Sequence, residues 1–256
     1  MKTMQDWQDY LSAKYFAGVE SKLTTWAENF AHPRDKTVVH IPARSGSERL
    51  KNKNILHLGG VPLLAYTILV ARQLPVDRVI VSTDSAAYAA IAEQYGAETP
   101  FLRPKELSGN DIPAGVARAY LLMYLLSQGY PLSSIIDLYP TSPFRNVATL
   151  TSYCEIIKKT GHCSTVVSPN IQGGDIYTHG ATCVCEGDLF KRSGIYSFKP
   201  LGNFFGSKID NYEILYKCHK VISNPIEMID IDTKSDFELA QLVVENNLYD
   251  FGVAIC

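Results

Sequence analysis

No apolar run in this chain approaches the ~20 residues needed to span a bilayer as a helix, which excludes a helical membrane protein. Neither sign of charge is in excess. The 24 Lys and Arg against 26 Asp and Glu leave a net charge of −2, so composition gives no reason to expect nucleic acid or a membrane surface as partner. Cysteine is sparse and scattered, at 154, 163, 183, 185, 218 and 256. Only Cys183 and Cys185 are close, and C-x-C without a second pair is poor evidence for zinc. On a strand, residues two apart share a face, so two half-buried thiols are the plainer reading. The opening MKTMQDWQDYLSAKYF lacks the apolar core of a signal peptide, and the expectation is a cytoplasmic protein. No internal repeat is evident.

What is present is enough apolar material for a full core. At 256 residues and 46% hydrophobic, the chain can form one α/β domain, alone or with a small appendage. Residues 1–36 stand apart: Trp7, Tyr10, Leu11, Tyr15, Leu23, Trp26 and Phe30 recur at helical spacing until His32-Pro33 breaks the pattern. We expect one or two amphipathic helices there, packed on the domain or on a second subunit. From residue 37 to 256 strands alternate with helices. Strands are expected at 37–42, 77–82, 134–138 and 163–168, with helices from Pro62, at 85–95 (closed by Gly96), at 113–127 and at 146–160. Between 169 and 192 the periodicity fades into a short excursion read as a hairpin. A strand-like GIYSF (194–198), a Gly/Asn/Phe loop and a helix at 234–247 follow. This order implies a three-layer α/β fold with a mostly parallel sheet, whose ligands sit beyond the carboxyl ends of the strands.

The richest segment is VVHIPARSGSERLKNKNI (38–55): a strand running into a small-residue turn with cations around it. The slim side chains of Ser45, Gly46 and Ser47 leave backbone N–H groups open to an anion, and Arg44, Arg49, Lys51 and Lys53 surround them with one acid, Glu48. A solvated basic loop is the plain alternative, but the order strand, IPAR, small turn, K-x-K-N favours a nucleoside triphosphate. Near the other end, Asp230 and Asp232 flank Ile231 in an extended segment, which puts two carboxylates on one side. Beside a phosphate site that pair suits Mg²⁺; alone, the segment is merely a helix N-cap. Ser82-Thr83-Asp84 ends the second strand, with Asp84 either a ligand contact or a cap. Arg103 competes between a ligand-facing cation and a surface arginine. Thr141, Ser142 and Arg145 in PTSPFR place hydroxyls and a cation on the same rim.

IPARSGSERLKNKNI, DRVIVSTD, YGAETPFLRPKEL, LYPTSPFR, SGIYSF and IDIDTKSDFELA occur in the order, and near the spacing, of the CMP-sialic acid synthetase family, which residues 37–246 resemble. The resemblance implies a Rossmann-like nucleotidyltransferase fold, CTP as donor, Mg²⁺ as cofactor and a 2-keto sugar acid as acceptor, with pyrophosphate released. It implies catalytic roles for Arg44 on the triphosphate and Lys53 on the α-phosphate. Ala43, Arg44, Ser45, Gly46, Ser47, Lys53, Asn54, Ser82, Asp84 and Arg103 would bind the nucleotide. Tyr139, Thr141, Ser142 and Arg145 would bind the sugar acid, and Asp230 and Asp232 the metal. A homodimer is open under the same resemblance.

The chain departs from the pattern at four places. Glu48 stands where many members have lysine, and should weaken triphosphate binding unless it points away or pairs with Arg49 or Lys51. Gly115 replaces a hydroxyl residue near the base. Tyr139 replaces the glutamine of LQPTSP, as in the pseudaminic acid branch. The segment between Ser168 and Gly194 is short, and Ser193 replaces an asparagine. Two competing readings stand beside the active sugar-acid enzyme: CTP-dependent transfer to a smaller acceptor, and a non-catalytic homologue that binds nucleotide or a partner.

Overall fold

Strand β1 (Lys36–Pro42) is buried from Val38 to Ile41, as expected of a central strand covered on both faces. In the computed structural model, which describes residues 3–17, 34–169, 174–179, 182–185, 198–209 and 217–255, it pairs in parallel with two neighbours. Short strands β2 (His57–Leu58) and β3 (Val61–Pro62) form a separate ribbon. β4 (Arg78–Ser82) and β5 (Leu132–Asp137) flank β1, and the sheet continues through β9 (Lys199–Lys208), β6 (His162–Val167), β10 (Lys217–Val221), β7 (Asp175–His179) and β8 (Thr182–Cys185). The ladders make β9 and β7 antiparallel to their neighbours and leave the other six strands pointing one way, so the sheet is mostly parallel.

The helices follow the apolar pattern. α2 (Leu63–Ala71) is buried at every position but one and packs in the main core with β1 and β4. α3 (Ala86–Gln94) is capped by Ser85, and Gly96 after it takes φ +87°, where a side chain would be strained. α4 (Ala114–Ser127) covers the opposite face of β1, meeting Val38, Ile80 and Ile135. α5 (Val147–Thr160) begins at Asn146, whose side chain accepts from the N–H groups of Ala148 and Thr149. α6 (Lys234–Glu245) opens with a reciprocal Thr233–Asp236 cap. No helix among the described residues is long and apolar enough to cross a membrane.

Helix α1 (Met4–Tyr15) lies on the domain. Leu11 and Phe16 are buried with Leu107, Val116, Tyr120 and Met123, and Lys14 reaches Glu106 at 2.7 Å. Leu23, Trp26 and Phe30, and the GIYSF segment up to residue 197, lie outside the described residues. The hairpin expected within 169–192 is present as β7 and β8; the side chains of Cys183 and Cys185 lie outside the description. One expectation fails. The Gly/Asn/Phe stretch read as a loop is β9, inserted between β5 and β6. Its glycines are demanded by close packing, since a Cβ on Gly206 would collide with Ile157 and one on Gly202 would sit 2.9 Å from the Ser142 hydroxyl.

Candidate functional site

The chain leaves β1 through Ala43, which is buried and donates to the Ser82 carbonyl at 3.0 Å, so the turn starts beside the end of β4. Asp84 then accepts from the Ser45 N–H at 2.8 Å and the Ser45 hydroxyl at 2.9 Å. The Ser47 N–H turns back to the Ser45 carbonyl at 3.0 Å. Two amides expected to face an anion are therefore hydrogen-bonded within the turn, because a carboxylate at the end of β4 competes for the first and the tight bend for the second. Asp84 is not the cap, since α3 is capped by Ser85; its carboxylate braces the turn. Asn52 takes a left-handed φ of +54°, and the short 3₁₀ turn after it carries Lys53 and Asn54 inward. The Asn54 amide donates to the Arg44 carbonyl at 3.1 Å.

These residues line a cavity of about 290 Å³ whose walls include Arg44, Ser47, Lys53, Asn54, Arg103, Tyr139 and Thr141. Three cations converge there. Arg103, only 5% exposed, donates to the Ser108 hydroxyl at 3.0 Å. Burial lowers its pKa, and Asp84 partly offsets that. Lys53 is buried and pairs with Asp232 at 2.8 Å, while the exposed Arg49 takes the other oxygen of Asp232 at 2.7 Å. Partial burial opposes the charge on Asp232, but Lys53 and Arg49 outweigh it and hold its carboxyl below the ordinary value. Arg44 donates to the Asn110 side-chain oxygen, and the Asn110 amide donates to Glu48. The acid is thus tied through Asn110 rather than to Arg49 or Lys51.

A larger cavity of about 690 Å³ shares Ala114, Tyr139 and Thr141 with the first, so the two are separated by a common wall. Arg118, Asp137, Phe205, Ser207 and Asp230 line it as well. Burial pushes the Tyr139 phenol up to about 12, so it is neutral near pH 7. Asp137 is almost fully buried, with the His40 Nδ1 at 2.6 Å from one oxygen and Arg118 on the other. Burial opposes its ionisation, yet the His40 hydrogen bond and the Arg118 charge prevail and keep its pKa below the ordinary value. His40, Arg118, Asp137 and Ser207 were not singled out from the sequence. The available signal was a His and an Asp within otherwise apolar central strands, VVHIP and SIIDL.

Arg145 is not on the rim. It is fully buried and donates to the carbonyls of Asn203, Tyr139 and Gly202 and to the Thr67 hydroxyl. Desolvation lowers its pKa to about 9. Its role is to pin the PTSPFR turn to β9. Ser142 and Ser82 are likewise buried, and neither hydroxyl has a hydrogen-bond partner among the described residues. Gly46 is exposed on the turn.

Thr141 also anchors the acidic segment, its carbonyl accepting the Ile231 N–H at 2.7 Å. Ile231 is fully buried between Asp230 at the larger cavity and Asp232 beside Lys53. No group of three or more His, Cys, Asp or Glu that could hold a metal occurs among the described residues. Asp230 and Asp232 carry the carboxylate oxygens that a hard divalent cation takes, and both oxygens of Asp232 are engaged by Lys53 and Arg49.

The cytidylyltransferase family model matches residues 38–255. N-acylneuraminate cytidylyltransferase of Escherichia coli is 34% identical over 223 residues, covering 81% of this chain and 52% of that protein. CMP-N,N'-diacetyllegionaminic acid synthase of Legionella pneumophila is 33% identical over 227 residues, covering 81% of this chain and 95% of that protein. The chain therefore spans about half the length of the first relative and nearly all of the second. Among solved structures, CMP:2-keto-3-deoxy-manno-octonic acid synthetase complexed with CTP superimposes with a TM-score of 0.59 at 16% identity, over 83% of this chain and 100% of that one. At that identity the likeness bears on the fold.

Proposed function

This chain belongs to the cytidylyltransferase family, and from that premise we propose that it joins CTP to a nonulosonic or related 2-keto sugar acid, giving a CMP-sugar and pyrophosphate. The observation that carries the reading is the pair of cavities with a common wall at Ala114, Tyr139 and Thr141, one rich in cations and one with an apolar side. A two-substrate reaction needs adjoining sites of that kind. The triphosphate goes to the smaller cavity, on Arg44 and Lys53, and Asn54 fixes the backbone of Arg44 beneath it. The sugar acid goes to the larger cavity, against Tyr139 and Thr141.

In the transfer, the anomeric hydroxyl oxygen bonds to the α-phosphorus and the bond from that phosphorus to the β-phosphate bridge oxygen breaks. Pyrophosphate leaves, and the hydroxyl proton passes to solvent. Charge on the phosphate oxygens is what must be stabilised, and fixed cations are suited to it. Lys53 is the one that burial and Asp232 hold in a single place. Asp230 and Asp232 are the residues proposed to hold Mg²⁺, which would neutralise phosphate charge when bound.

The test is pyrophosphate release by the purified protein with Mg²⁺, CTP and a panel of 2-keto sugar acids. Release with at least one eight- or nine-carbon acid is expected. Release with none of them, beside release with smaller acids, would contradict the assignment of the acceptor.

A further inference from the structure

Along β1, Val39 and Ile41 face the core that contains α2, whereas Val38 faces α4; the period of two therefore puts His40 on the α4 side. Along β5, Ile135 faces α4 and Asp137 follows it to the same side. His40 and Asp137 are directly paired in the β1–β5 ladder, so their side chains meet. Arg118 comes down from α4 onto the second Asp137 oxygen. Its other terminal nitrogen donates to the Ser207 hydroxyl at 2.6 Å, and its guanidinium carbon lies 5.1 Å from the Phe205 ring centre. A buried carboxylate, a hydroxyl and an aromatic face thus fix one planar cation at the wall of the larger cavity.

On the strength of the proposed activity, we propose that Arg118 binds the carboxylate of the acceptor acid and so sets the enzyme's preference for acids. Asp137 and His40 are positioning residues for it. The charge order supports this. Asp137 has both oxygens occupied and its side chain is only 5% exposed, so it is spent on holding the guanidinium. Arg118 is 17% exposed and has five N–H groups, of which Asp137 and Ser207 take two. A planar fork of this kind matches a carboxylate with two parallel hydrogen bonds. Asp230, the other acid at this cavity, is exposed and is one of the two residues proposed to hold Mg²⁺. Phe205, 39% exposed, offers the apolar surface against which a sugar ring packs.

The experiment compares an acceptor acid with its carboxamide in pyrophosphate release. In wild type the amide is expected to lose about 10- to 100-fold in kcat/KM, the worth of a charged bidentate contact. Arg118→Met should lose a similar factor with the acid, through KM, while treating acid and amide alike and keeping its CTP-induced thermal shift. The double variant Arg118→Met/Asp137→Asn removes both charges together and covers the case in which the single variant fails to fold. A merely structural Arg118 would lower activity without abolishing acid-over-amide preference, and that result overturns the proposal while leaving the transferase activity standing. Wild-type protein that turns over no acid at all overturns both.

Discussion

The Asp84 carboxylate spans the Ser45 N–H and the Ser45 hydroxyl, at 2.8 and 2.9 Å, and so joins the end of β4 to the turn after β1. Arg44 precedes that turn and Ser47 ends it, both in the wall of the cationic cavity. Asp84→Ala should therefore raise KM for CTP by about 10-fold or more, since hydrogen bonds to a charged group are worth roughly 1.5–3 kcal/mol. Steady-state pyrophosphate release checks it. An unchanged KM would mean that the turn holds its shape without Asp84.

His162, only 4% exposed, makes edge contacts with Phe205 and His219. Burial, helped by the charges of His219, Lys217 and Arg118, lowers its pKa from 6.5 to about 4. The fold keeps it neutral while the unfolded chain takes up the proton first. Stability is thus complete above about pH 6.5 and falls as pH drops toward 4, by roughly 3 kcal/mol across the window. Urea midpoints at pH 7, 6 and 5 should fall more steeply in wild type than in His162→Gln. Parallel slopes would assign the acid sensitivity elsewhere.

Leu11 is fully buried between α1 and α4. Leu11→Ala should cost about 2–5 kcal/mol in a denaturant melt, the range for emptying a buried leucine site. The cost should fall on stability and not on CTP affinity. A cost below about 0.5 kcal/mol, typical of exposed positions, would mean that α1 does not contribute to the core.

How much of this could be read from the sequence depends on which neighbour each residue meets. Strands β1, β4, β5 and β6 are legible as short apolar runs, and helices α2 to α6 as longer segments opened by proline or a capping residue between them. β9 is not, because Gly202, Asn203 and Gly206 depress strand propensity and owe their presence to Ser142, Phe144 and Ile157, residues far away in the chain. Arg44 and Lys53 from one motif and Arg103 from another are brought into one cavity. Arg145 reads as a rim cation because a sequence does not show that its guanidinium can turn inward to meet three carbonyls. The His40–Asp137–Arg118 cluster stays hidden until strand register pairs the first two.

The smaller cavity is the proposed CTP site, with Lys53 held by Asp232 at 2.8 Å as its principal cation. The most direct measurement is the thermal stability of the full chain with Mg²⁺ and, separately, CTP, UTP, ATP and GTP, in wild type and Lys53→Ala. A ligand that binds only the folded state at about 100 times its Kd adds about 2.7 kcal/mol. A shift with CTP above the other three, lost in Lys53→Ala, is expected. Equal shifts with all four nucleotides, or a CTP shift that survives the substitution, would contradict it.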